Sequence, residues 1–498
     1  MGKVADQIYL GWRRLLVTVL AAAIMLGGCT AVEEPELTLP RAFSSIDVPG
    51  QVQSIPEHAT SPDGRHILAS MTDNDGAHVI LLRMNANETA LTKIESVGSN
   101  WLKQAFFSYR PIGWMSETQF LYAKVGWQPS GIKKDQRSVV LVVGDSSNGS
   151  FEEVASVPLP SGGTEILYVP DRSKAFISLK TSIWEFDTVH RNLRLVKDGL
   201  PDNPYLNPVP SPSGEYYVYA REEADTRGLY ILDTATGEER VLTAYGETRS
   251  FYPSWSFDGK YVAAYTAERK PGSTGTTWRD YDIIEGEDTA QSVGQRITVF
   301  DAQGSTISSA KVEGKRLASF RWADNSDSIA FLTGTRLPSD AIPAISNEGL
   351  WVATIGPGQV VPKMLAPISE SESGMSPWAY PVAFDAAGEG VYYDLYENGT
   401  WYAREGSEPV RVAEGSWTPL TADETRPIYW GGVLALVDEL GPKVGLYLMA
   451  GGEAVKFAEY PRATVLAYAG WTLVIFAGEP VPPYPGSGQV IAYTVTRQ

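Results

Sequence analysis

The chain has one cysteine among its 498 residues, Cys29, which excludes an intramolecular disulfide framework and any cysteine-cluster metal site. Histidine is almost as scarce, with only His58, His66, His78 and His190. None of them stands at H-x-x-H or H-E-x-x-H spacing, so no metal centre and no metal cofactor are expected. Positive charge is in deficit, 41 Lys plus Arg against 59 Asp plus Glu, for a formal charge of −18. Such a chain repels a phosphate backbone, and nucleic acid is not expected as a partner. No glycine-rich loop follows a strand and opens a helix, which leaves nucleotide binding without support. A G-x-S-x-G nucleophile elbow is missing, and strand-like segments run nearly to the C-terminus, leaving no room for an α/β-hydrolase domain. Asp73-Asn74-Asp75-Gly76 has the opening of a calcium loop but lacks its later bidentate Glu, and it reads as a hairpin turn.

What is present points to β-structure. Hydrophobic residues make up 43% of the chain and charged ones 20%, enough to bury a sizeable core. Gly (47), Pro (33), Tyr (25) and Trp (14) favour turns and half-buried strands over long helices. At the N-terminus, Arg13 and Arg14 precede the twelve-residue run Leu15 to Leu26, apolar except for Thr18. That run is short for a membrane span, which needs about 20 apolar residues. It is followed by Gly27, Gly28 and Cys29, so a charged segment, an apolar segment and a small-residue cleavage site occur in order. Leu26-Gly27-Gly28-Cys29 resembles the lipobox of bacterial lipoproteins, in which the cysteine thiol is acylated and the peptide is cut just before it. The resemblance implies a signal peptide over 1–28, lipid at Cys29 and a tether over 29–40. The protein would then be held on the extracytoplasmic side of a bacterial membrane.

A beat recurs along the rest of the chain. Ser61-Pro62-Asp63-Gly64-Arg65, Ser211-Pro212-Ser213-Gly214-Glu215 and Trp255-Ser256-Phe257-Asp258-Gly259-Lys260 each feed an apolar strand. Weaker copies fall at Trp114, Tyr168, Trp322 and Phe384, and fainter ones near Gly431 and Gly470, with intervals of 39 to 67 residues. Four short strands per beat are the signature of a β-propeller. The motif resembles that of the TolB-like and WD-repeat-like propellers, most closely at 255–265, over residues from about 50 to the end. The resemblance implies an all-β fold of four-stranded antiparallel blades; it implies scaffolds, peptidase gates or lyases as functions. The lyases carry a histidine-rich manganese site fed by several blades, whereas here no histidine lies beyond residue 190. Nine beats against a usual ceiling of eight blades give an expectation of eight, within a range of seven to nine. The domain then covers 41–498, with Arg41 to Val48 supplying the strand that closes the ring.

Loop lengths carry the remaining information. With strands lettered a to d from each beat, the b–c connections swell at 126–136, 268–294, 334–347 and 478–488. The d–a connections swell at 198–208 and 367–378, and both kinds leave one face. These connections hold Trp127, Tyr205, Trp278, Arg279, Asp280, Tyr281, Asp282, Trp378 and Tyr484, aromatic, Arg and acid residues of the kind that anchor interfaces. The expectation is a non-catalytic, cofactor-free envelope lipoprotein that binds a protein through this face. The alternative is a glycan binder, or a lyase or hydrolase of glycans, with acids such as Asp280 and Asp282 at the channel mouth. The 27-residue segment Glu268 to Gly294 far exceeds a hairpin turn, so most of it is expected to be dispensable for folding.

Overall fold

The computed structural model describes residues 40–494 except 55, 57, 85–87, 99–106, 128–136, 160–163, 201–207, 224–225, 284–292, 337–344, 369–378, 396–397, 414–416, 420–428, 431–432, 439–443, 451–452, 470–471 and 479–486. The leader, the tether and Cys29 therefore lie outside the described residues, as do Tyr205, Trp378 and Tyr484.

The described residues form nine sheets, each built on four antiparallel strands. Blade 1 comprises Gln51–Gln53, Ile67–Asp73, Gly76–Met84 and Thr89–Gly98, and blade 2 Ser108–Trp114, Gln119–Trp127, Ser138–Asp145 and Phe151–Pro158. Blades 3 and 4 begin at Thr164 and Val209. Blade 5 comprises Thr248–Trp255, Tyr261–Glu268, Arg296–Asp301 and Thr306–Ala310, and blade 6 Arg316–Trp322, Ser328–Arg336, Ile345–Thr354 and Lys363–Pro367. Blades 7, 8 and 9 begin at Ala379, Trp417 and Ala463, and the outer strand of blade 9 is Arg41–Val48, antiparallel to Gly488–Thr494. The described residues thus make nine blades, one more than the expected eight and the upper end of the expected range of seven to nine. Each beat, including the faint ones near Gly431 and Gly470, sits between strands a and b of its own sheet.

The packing makes a closed ring. Apolar clusters join consecutive blades: Leu68 and Val79 with Tyr109 and Phe120 between blades 1 and 2, Tyr265 and Ile297 with Phe320 and Phe331 between blades 5 and 6. Blades 8 and 9 meet at Phe457 and Tyr493, and Val52 and Met71 of blade 1 pack on Leu466 and Phe476 of blade 9. The ring is also stapled by hydrogen bonds. At the end of strand a, the indole N–H groups of Trp114, Trp255 and Trp322 donate to the carbonyls of Ala59, Val209 and Ser254 in the preceding blade. Tyr168 does the same through its hydroxyl to the Trp114 carbonyl.

The beat residues are chosen for the turn. The buried Ser61 and Ser256 hydroxyls donate to Asp63 and Asp258 at 2.7 Å and accept the N–H groups of His66 and Tyr261. Gly64 and Gly259 take φ of 70° and 71°, a left-handed conformation that disfavours a side chain. On the opposite rim of each blade, the outer strand is irregular. In blades 1 to 6, 8 and 9 the register between strand c and the outer strand shifts at a bulge. In blade 7 that pairing is only two residues long, Trp401 with Arg411 and Tyr402 with Val410. Bulges and short pairings blunt a sheet edge against pairing with another chain.

The segment after Glu268 departs from the sequence expectation. It carries Tyr281, fully buried at 0% exposure, and Ile283 at 6%, both within the core between blades 5 and 6. The Gly246 N–H donates to the Tyr281 hydroxyl at 2.8 Å, and that hydroxyl donates on to the carbonyls of Gly246 or Gly275. The segment returns as the two-residue strand Val293–Gly294, which pairs with Ala318 and Leu317 on the innermost strand of blade 6. Its described part is therefore packed into the fold through Tyr281, Ile283 and Val293, because aromatic and aliphatic side chains this size gain more from burial than the loop loses in closure entropy.

Candidate functional site

In each blade the b–c and d–a connections leave from the same end of the strands, so the strand ends that carry the long connections share one face. On that face a cleft of about 410 Å³ opens between blades 5 and 6. Glu268 and Arg296 line it from strands b and c of blade 5, Arg316 and Thr335 from strands a and b of blade 6, and Lys311, Glu313 and Lys315 from the link between the two blades. Gly314 and Gly334 line it as well.

The cleft is ringed by charge of both signs. Arg296 lies 3.5 Å from Glu268 and Lys311 3.2 Å from Glu313, and the two acids are 60% and 91% exposed. Lys315 pairs with Glu348, and the Thr335 hydroxyl donates to the same carboxylate at 2.5 Å. Lys315 foremost, with Thr335, holds the Glu348 carboxyl below its usual range. Arg316 pairs with Asp282. Exposed pairs of this kind contribute only about 0–1 kcal/mol each. An incoming carboxylate can therefore displace Glu268 or Glu313 from its cation at little cost.

The residues singled out from sequence divide into four groups. Asp282 reaches the neighbourhood of the cleft through Arg316, and Arg279 is exposed on the short 3-10 helix Trp278–Asp280. Asp280 instead serves its own loop: its carboxylate accepts the N–H groups of Thr277 (2.9 Å) and Thr276 (2.8 Å) and the Thr274 hydroxyl (3.1 Å). Those bonds, Thr277 first, hold its carboxyl below the usual range. Asp280 and Asp282 thus have separate structural partners. Tyr281, expected at the surface, is inside the core, where its ring fills the interior and its hydroxyl ties Gly246. The side chains of Trp127 and Trp278, although their backbones are on a strand and a turn, lie outside the described residues.

The five-residue link Lys311-Val312-Glu313-Gly314-Lys315 and the adjoining Arg316 were not singled out, because the link is too short to register as a swollen loop. Their composition is a usable signal: three bases in six residues, in a chain where 41 of 498 are basic.

No family model matches the chain, and no curated protein does. Solved structures with a related course include oligogalacturonate lyase from Vibrio parahaemolyticus, at 11% identity and a TM-score of 0.34, covering 74% of this chain and 98% of that one. Dipeptidyl peptidase 4 of Porphyromonas gingivalis matches at 13% identity and 0.40, over 90% of this chain and 58% of its own. TolB from Acinetobacter baumannii matches at 15% and 0.26, over 77% and 76%. These are distant likenesses among proteins of different activities, and the ring described above rests on this chain's own strands and packing.

Proposed function

We propose that the protein is a recognition propeller of the bacterial cell envelope, anchored through lipid on Cys29, and that it binds a protein partner in the cleft between blades 5 and 6. The observation that carries this reading is the position of the cleft: it opens on the face with the long connections, beside the longest of them, and is ringed by loosely held ion pairs. Arg296 and Lys311 would exchange Glu268 and Glu313 for carboxylates of the partner, while the rigid blades on either side hold them in place. At this cleft the protein binds without turnover, needing neither cofactor nor metal. A charge-guided contact also suits an acidic protein, since charges beyond the cleft are screened over about 8 Å at physiological salt.

The test places a photo-crosslinking residue at Lys311 or, on the opposite face, at Ser213, in the full lipidated protein in cells. The reading expects a discrete adduct from position 311 and none from 213, and Arg296→Glu with Lys311→Glu should reduce recovery of that partner from detergent-solubilised envelope at least about tenfold. Adducts from 213 alone, or undiminished recovery by the charge-reversed protein, would overturn it.

A further inference from the structure

Blade 1 holds an arrangement that the cleft does not use. Asp73 ends strand b, His78 lies on strand c, and Lys93 and Ser96 lie on the outer strand. The hairpin between strands b and c is two residues long, so the Asp73 carboxylate folds back to accept the N–H groups of Asp75 at 2.8 Å and Gly76 at 3.1 Å. The same Oδ1 lies 2.9 Å from His78 Nε2, and Lys93 Nζ lies 3.1 Å from Oδ2. Across the strand pair, His78 Nδ1 lies 2.7 Å from the hydroxyl of Ser96, its direct cross-strand partner.

The protons of this chain can be assigned. Burial opposes ionisation of Asp73, but hydrogen bonds from His78, Lys93 and the Asp75 N–H outweigh it and hold the carboxyl below its usual range. An ionised carboxylate only accepts, so the 2.9 Å contact places the proton on Nε2, and the Lys93 ammonium, which lies 3.2 Å from that nitrogen, donates to Oδ2 and not to the ring. In the neutral imidazole Nδ1 then carries the lone pair, aimed at the Ser96 hydroxyl. His78 and Asp73 are 3% and 4% exposed, whereas Ser96 is exposed to solvent. A base within hydrogen-bond reach of a hydroxyl, itself oriented by a buried acid, is the arrangement that activates a serine.

The backbone adds a second element. The Val97 carbonyl faces Gly76 across the strand pair. Residues of an antiparallel strand alternate, so Ser96 turns its own N–H outward past the outermost strand of the blade. That N–H stands beside the hydroxyl, where an oxyanion forming on an attacked carbonyl would accept it.

We propose that Ser96 is a nucleophile, activated by His78 and Asp73, that takes acyl groups from small or surface-borne carboxylic esters. Ser96 Oγ bonds to the ester carbonyl carbon as its proton passes to His78 Nδ1. The tetrahedral intermediate then breaks its bond to the alcohol oxygen, which leaves with that proton. Water, deprotonated by the same Nδ1, hydrolyses the acyl-serine and restores the hydroxyl. Lys93 keeps Oδ2 occupied and so leaves Oδ1 to the imidazole. General-base assistance of this kind contributes about 10²- to 10⁴-fold.

The full-length protein is treated with a fluorophosphonate, which bonds phosphorus to a reactive serine oxygen and releases fluoride, and adducts are mapped by mass spectrometry. The expected result is an adduct at Ser96 formed about 100-fold faster than at other exposed serines, lost in Ser96→Ala and slowed to the background in His78→Gln. Ser96→Ala should also remove the excess hydrolysis of p-nitrophenyl acetate. Absence of an adduct at Ser96 in the unmutated protein overturns the proposal, and that measurement does not depend on the folding of any variant. Equal labelling of a folded His78→Gln, or acyl transfer that ends as a stable amide on Lys93, overturns it as well.

Discussion

Tyr281 tests whether the long segment between strands b and c of blade 5 is packed into the fold or merely attached to it. Its ring is fully buried in the core shared by blades 5 and 6, and its hydroxyl accepts the Gly246 N–H at 2.8 Å. Replacing a buried aromatic ring by Ala costs about 3–5 kcal/mol. Tyr281→Phe keeps the ring and strips the Gly246 N–H of its partner, which costs about 1–3 kcal/mol. A ring of nine sheets need not unfold in one step, so a global melting temperature is a blunt instrument here. Local opening is sharper, because the exposed Arg279 offers trypsin a cleavage site that two buried neighbours, Tyr281 and Ile283, hold in place. At 1.4 kcal/mol per factor of ten, Tyr281→Ala should speed cleavage after Arg279 by about 100- to 4,000-fold and Tyr281→Phe by about 5- to 100-fold. Cleavage after Arg65 or Arg404, on blades 1 and 7, should stay at its original rate. If Tyr281→Ala is cut after Arg279 no faster than the unmutated protein, the segment is not anchored by this side chain and the argument fails.

Cys29→Ser should leave an uncleaved or soluble exported form without incorporated palmitate, and palmitate labelling that persists in the mutant would refute lipid attachment at that thiol. Removing Arg41–Val48 exposes the full edge of strand Gly488–Thr494, so the truncated protein should self-associate and melt earlier; a truncated monomer with unchanged melting, by light scattering and calorimetry, would show that closure by this strand is dispensable. Burial raises the hydroxyl pKa of Tyr109, Tyr122, Tyr217 and Tyr380, and pushes Tyr393 up to about 12. A raised folded value means that the stabilisation is present below the unfolded value of about 10 and is lost as pH rises toward the folded one. Tyrosinate absorbance should therefore appear together with unfolding above pH about 10, and full ionisation of these rings in a still-folded protein would contradict their burial.

The propeller was legible because its defining residues act locally. Ser256, Asp258 and Gly259 specify a turn through bonds spanning two to five residues, and such bonds leave a pattern in the chain. The same locality explains the blade count. Even near Gly431 and Gly470, where the pattern is faint, a short break between two apolar runs still marks an a–b junction, and all nine such breaks are real. The ceiling of eight came from habit about propellers and not from any residue. The bulges along the outer strands left no such trace, since a one-residue shift between Val79 and Ile80 or between Leu141 and Val142 depends on the partner strand.

The site was legible only in part, and for the opposite reason: its residues act across the chain. Loop length identified the face, yet length alone does not separate a ring that reaches solvent from one that turns inward, and Tyr281 turned inward. The three bases of 311–316 become a cleft only because blade 6 follows blade 5 in the ring and brings Thr335 and Glu348 alongside. His78 and Ser96 are separated by 18 residues and Asp73 and Lys93 by 20, with no motif spacing between them. What joins them is register. A hairpin of two residues after Asp73 fixes which residue of strand c faces inward, and the bulge beside Val79 brings both Lys93 and Ser96 to the His78 side. A turn one residue longer would move His78 to the other face of the sheet and disconnect all four groups.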